Sequence, residues 1–209
     1  MFQARLRGSF AHIGQALREP EAFALHWDRE GTPYDPSVFV ALALTAIAGT
    51  TTYGMIMGLL GGTREMLLDG LRCTAAAGIA WSLPLPALYN LNSLSGSRLR
   101  ASTTFLVALV TTSWGGLAML AAIPVSWFFT VALPNATVVL LVHLAVFTIV
   151  GVAMIDVFCR VIADLEPHRG RTPGWWLTLV GAIGGELFYA FGLFKLPELG
   201  KVVPWFSGS

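Results

Sequence analysis

Ionisable side chains are rare in the apolar stretches of this sequence, and three of them, His143, Asp156 and Glu186, fall where a membrane interior is expected. A charge held in hydrocarbon costs at least ~2.5 kcal/mol, so each is a candidate for proton transfer, ligand binding or a polar contact between helices. Asp156 precedes Arg160 by one helical turn, and an ion pair along that face accounts for it without a functional role. Glu186 and His143 are harder to dismiss. Counted from Pro173, Glu186 lies roughly 20 Å along its helix; counted from Pro134 on the opposite side, His143 lies roughly 13 Å along its own. Their depths therefore agree, and a hydrogen bond between them across consecutive spans is the expectation. Such a pair either fastens the two helices together or forms a proton relay or ligand site. His143 is also the one imidazole within the spans, which makes it the axial ligand if a tetrapyrrole binds. No CxxCH accompanies it, and no other cofactor is expected. Asn90 and Asn92, just beyond Pro84 and Pro86, complete the polar candidates.

Motifs that would mark catalysis are missing: no GxSxG, HExxH, P-loop or Rossmann fingerprint occurs, so no catalytic residue and no enzyme is expected. Cys73 and Cys159 belong to no CxxC or Cys/His cluster, which gives a metal site no support. With 209 residues, 55% of them hydrophobic and 12% charged, the chain has too little polar surface to cover a soluble globule. A net charge of +1 and the lack of a Lys/Arg-rich run leave no reason to expect nucleic acid as a partner.

The elements that must position the candidates follow from the charge pattern. Ala101 to Ile155 contains no Asp, Glu, Lys or Arg. One helix of that length would reach about 80 Å, far beyond the ~30 Å core of a bilayer, so the stretch must turn back. The reversal falls at Leu133-Pro134-Asn135, giving a third span, Ala101 to Leu133, and a fourth, Thr137 to about Cys159. Pro36 to Leu60 reads as the first span, with proline in its first turn. Gly54-x-x-x-Gly58 and Gly58-x-x-x-Gly62 mark its far end as a close-packing surface. Thr63 to Arg72 reads as a short amphipathic connector, with Thr63 placed to cap. Cys73 to Ser95 is the second span, kinked by Pro84 and Pro86 because each removes a backbone donor. Pro173 to about Phe194 is the fifth, opened by Trp175-Trp176 and containing Gly181-x-x-x-Gly185.

Ahead of the spans, Phe2, Leu6, Phe10, Ile13 and Leu17 form one stripe of an amphipathic helix that Glu19-Pro20 ends. Glu21 to Asp35 then reads as an irregular acidic connection. Residues 1–35 hold no apolar run long enough for a signal sequence, so the first span is expected to direct insertion. The expected organisation is a cytoplasmic segment 1–35, a membrane domain 36–195 and an interfacial tail 196–209. Nine Arg and Lys residues fall in the N-terminal segment and the connections on its side, against four on the other, which puts the N-terminus in the cytoplasm and the C-terminus outside.

Three motifs carry a family likeness: Tyr53-Gly54-Met55-Ile56-Met57-Gly58, then Leu83-Pro84-Leu85-Pro86-Ala87-Leu88-Tyr89-Asn90-Leu91-Asn92, then Gly96-Ser97-Arg98-Leu99. In these, and in its span count and orientation, the chain resembles bacterial members of the Yip-domain family over most of residues 1–195. The resemblance implies a five-span architecture in a bacterial inner membrane and no known catalysis, and it assigns no functional residue. Eukaryotic relatives act in vesicle trafficking through small GTPases; the acidic, aromatic cytosolic motifs of that role are not evident here. The expectation is thus an all-α, polytopic membrane bundle of five transmembrane helices plus an N-terminal amphipathic helix. Its partners are membrane lipids and other integral membrane subunits, with the chain an accessory or structural subunit of a membrane complex. The alternative is a small permease or channel using the proline-kinked second span and Glu186.

Overall fold

Charge-free sequence and helix length go together in this chain. The computed structural model describes residues 14–30, 36–94, 96–133, 135–169 and 175–194, and among them every regular element is helical. After a helical stretch at 14–18 come α1 (Pro20–Glu30), α2 (Pro36–Met57), α3 (Gly62–Ser82), α4 (Leu85–Leu94), α5 (Ala101–Ala132), α6 (Ala136–Leu165) and α7 (Trp175–Ala190). Three of these, α2, α5 and α6, are long and apolar enough to cross a membrane. Helix α3 carries Arg64, Glu65, Asp69 and Arg72, and α7 has 16 residues, so a count of five spans is not shown. The amphipathic stripe before residue 14, the connection at 170–174 and the tail from 195 lie outside the described residues, as do the side chains of Trp175 and Trp176.

The helices pack side by side in the order α6, α5, α2, α3, α7, with α1 lying across one end of α6 and α5. That end is the near end of the bundle. The α5–α6 hairpin turns at Asn135, whose side chain accepts the backbone N–H groups of Thr137 and Val138 and so caps α6. Helices α2 and α5 run parallel and touch backbone to backbone. A Cβ on Gly49 would collide with the carbonyl of Gly116, so only glycine permits this approach. Ser113 uses the same proximity to donate to the Leu42 carbonyl at 2.7 Å. Gly54 and Gly58 press against the α3 backbone at Asp69 and Glu65, whereas Gly62 supplies a positive φ of 85° where α3 begins and touches nothing.

Two stretches differ from the sequence expectation. The acidic connection after Pro20 is a helix, α1, because Ala16, Pro20, Phe23 and Trp27 recur at helical spacing and are all buried. Proline opens this helix at its first position, where the missing N–H costs nothing. Phe23 and Trp27 pack with Val38, Leu42, Leu106 and Val110, which is worth about 1.5–3 kcal/mol per large side chain. Asp28 accepts from Thr103, and Arg160 bridges Glu21 and Asp156, so the Asp156–Arg160 pair is tied to α1 as well. The connector from Thr63 to Arg72 is also no separate element. It is the first half of α3, where Arg72 pairs with Asp69 at 2.7 Å and Glu65 at 3.5 Å. Thr63 lies inside the helix, after the cap residue Gly61, and does not cap it. The helix runs on to Ser82, breaks at Leu83 and Pro84, and resumes as α4; Pro84 is buried and Pro86 exposed.

Candidate functional site

Polar groups inside the far half of the bundle converge on one point. Tyr53 from α2, Ser126 from α5 and His143 from α6 meet there, the tyrosine and serine with no exposed surface and the histidine 4% exposed. The Tyr53 hydroxyl lies 3.0 Å from Ser126 Oγ and 2.9 Å from His143 Nδ1, within hydrogen-bond reach of both. Helix geometry makes the meeting possible: all three residues face inward at the same level, and Phe147, one turn along α6, holds the tyrosine ring edge-on at 5.4 Å. His143 Nε2 is buried and has no partner among the described residues. In the sequence, Tyr53 stands out only as part of the family-like motif Tyr53-Gly54-Met55-Ile56-Met57-Gly58. The available signal was that Tyr53, Ser126 and His143 are polar residues at matching heights in charge-free stretches of three helices.

Glu186 is not part of this cluster. Phe147 and Phe188 touch with ring centroids 4.5 Å apart, which fixes the relative height of α6 and α7. From that level His143 lies a turn toward the far end and Glu186 two residues toward the near end, an offset of about 9 Å along the bundle. Glu186 also points elsewhere: it is exposed, on an outward face of α7 that it shares with Leu179, Ala182 and Ala190. Among the described residues it makes no hydrogen bond or ion pair. The expected Glu186–His143 bond is therefore replaced by Tyr53–His143, because each helix end starts at a different height and the two side chains face different ways.

Between the helices lies a cavity of about 640 Å³, bounded by α2, α3, α5, α6 and α7. Phe147, Phe188 and Phe194 pack together at its far end; Trp81 meets Phe158 at 6.2 Å at the near end, with Val180 and Leu85 in the same cluster. Gly181 and Gly185 of α7 line it, and a Cβ on either would meet nothing within 4 Å, so this glycine pair faces open space. Glu186, His143, Asn90 and Asn92 are not among its lining residues. Asn90 is exposed on α4 and Asn92 half-buried. His143 thus does not face the space in which a tetrapyrrole would fit. No group of His, Cys, Asp and Glu among the described residues could hold a metal ion.

Fold and site together define an all-helical bundle whose long apolar helices are compatible with an integral membrane protein. Comparison with known proteins found no matching family model, no similar curated protein and no similar solved structure.

Proposed function

We propose that this chain is a non-catalytic integral membrane protein that serves as an accessory subunit, docking α7 against a transmembrane helix of a different membrane protein. One observation carries the reading: Glu186, on the exposed face of α7 beside Ala182 and Ala190, has no hydrogen bond or ion pair among the described residues. A carboxylate left facing lipid is costly, and small neighbours let a second helix come close enough to donate to it. Helices α2, α5 and α7 contain no Lys or Arg, so a second copy presenting any of these faces supplies no cation to Glu186. In this reading the partner is a different helix carrying a basic or strongly donating side chain.

In this reading the bundle is Yip-like, with five crossings in a bacterial inner membrane. Helices α3 and α4 form the second crossing, α7 forms the fifth, and the near end lies in the cytoplasm. The paired charges Glu65, Asp69 and Arg72 then sit at the outer headgroup level. A permease role is less well served: the cavity is lined mainly by carbon, and aromatic clusters cover both its ends. The test is purification from native membranes in a mild detergent, comparing wild type with Glu186→Leu. One stoichiometric membrane partner that disappears in the variant, with the variant itself well folded, supports the reading. Equal partner recovery from both refutes it.

A further inference from the structure

The cavity holds open a volume in the range, roughly 300–1,000 Å³, that takes a ligand of ordinary size. Its chemistry narrows the occupant. Each hydroxyl on its wall is already committed to its own helix: Thr50 donates to Ala46 O at 2.9 Å, Thr74 to Gly70 O at 3.1 Å and Thr112 to Leu109 O at 3.0 Å. Thr148 donates to Leu144 O at 2.8 Å and Ser82 to Gly78 O at 2.7 Å. Apart from the Trp81 indole N–H at one end, no lining side-chain donor is left, so a quinone, nucleotide or sugar would bury carbonyls and hydroxyls without partners along most of the wall, at about 1–3 kcal/mol for each stranded group. Hydrocarbon suffers no such penalty.

Shape agrees with chemistry. The lining spans Leu144 to Ile155 on α6, about 17 Å of helix, and Phe105 to Met119 on α5, about 21 Å. One leaflet of a ~30 Å hydrocarbon core is about 15 Å deep, so the cavity is about as tall as one leaflet's acyl chain. It is open to the surface of the bundle, where Ile47, Phe105 and Val152 on its rim are exposed. Gly78 and Gly151, on facing walls, would each accept a Cβ with nothing within 4 Å. The space therefore persists although the smallest side-chain addition would begin to fill it. At the near end, the indole N–H of Trp81 is the lining donor that no described residue engages.

We propose that this cavity is a binding site for one acyl chain of a membrane phospholipid, the chain lying between α3, α6 and α7 with its ester end toward Trp81. The site is separate from the outward face of α7, so partner docking and lipid binding can fail independently.

The probe is a phosphatidylcholine spin-labelled near the end of one chain, in nanodiscs holding the wild type, a Gly78→Leu/Gly151→Leu chain, or a Gly78→Ala/Gly151→Ala chain. Motionally restricted label is counted per protein. The leucine pair fills the cavity and should lose one restricted chain; the alanine pair adds too little volume and should keep it. Native mass spectrometry of the washed wild type, which needs no variant to fold, should retain one phospholipid per chain. Equal restricted label in all three proteins, or a wild type that emerges free of lipid, overturns the proposal. A co-purifying pigment or quinone in the cavity overturns it as well.

Discussion

Replacing Tyr53 by phenylalanine removes one oxygen from a site where three helices meet and leaves the packing against Phe147 intact. Two hydrogen bonds go with it, but the two partners are not equally harmed. Ser126 lies within a helix and can turn its hydroxyl to a carbonyl one turn back, as Thr130 does with Ser126 O at 2.8 Å. His143 has no such recourse. Its Nε2 is already unpartnered, so loss of the Nδ1 contact leaves a buried imidazole with neither nitrogen bonded. Interhelical hydrogen bonds in membranes average about 0.6 kcal/mol and reach about 1.7. Stranding a buried polar group costs about 1–3 kcal/mol. Tyr53→Phe should therefore cost about 1–3 kcal/mol, most of it through His143. The assay is reversible unfolding in bicelles by steric trapping, run as a cycle with His143→Leu. Leucine removes the stranded group, so the double variant should be more stable than the summed singles imply, by at least about 0.5 kcal/mol. Additivity within about 0.3 kcal/mol would show that Tyr53 and His143 do not act on one another.

Other outcomes follow from single contacts. Gly49→Leu must push α2 off α5 at Gly116 and should abolish folded yield in detergent, while Gly78→Ala, with nothing near its Cβ, should leave yield unchanged. Pro84→Ala with Pro86→Ala should let α3 run into α4, so spin labels at Leu71 and Leu94 should separate toward the spacing of one straight helix, about 1.5 Å per residue; an unchanged distance means the bend is imposed by packing. Arg160→Ala breaks two ion pairs that are half exposed and should cost no more than about 1 kcal/mol by thermal melting, less in high salt. Single cysteines at Leu60 and His168, in a chain lacking Cys73 and Cys159, should differ in intact cells, with Leu60 open to an impermeant reagent and His168 closed.

The parts of this fold that are legible in the sequence are those set by a single strong constraint. A charge-free run too long for one bilayer crossing fixes α5, α6 and the turn at Asn135, and the α2 boundaries follow from charge in the same way. Errors arise where one residue type has two uses. Glu19-Pro20 does end the helical stretch at 14–18, but Pro20 also opens the next helix, and that second use hid α1 even though Phe23 and Trp27 are at helical spacing. Thr63 to Arg72 reads as a separate connector because of its charges, yet Arg72 pairs with Asp69 and the segment is continuous with the rest of α3. Glycine is the deepest ambiguity: Gly54 and Gly58 allow close packing, Gly181 and Gly185 line a void, and nothing local distinguishes the two pairs. Depth counted from helix ends also fails for Glu186 and His143, because it carries neither the relative heights of neighbouring helices nor the direction in which each side chain points.

Docking through α7 is tested most directly by a photo-crosslinking residue at Ala182, one turn before Glu186 on the exposed face, in living cells expressing the full chain. A matching probe at Val152, exposed on α6, reports on plain lipid contact. The account predicts that Ala182 cross-links to one different membrane polypeptide, that Val152 does not, and that Glu186→Leu abolishes the product without lowering the amount of folded chain. Cross-links from Ala182 only to lipid or to a second copy of this chain, unchanged by Glu186→Leu, would contradict it.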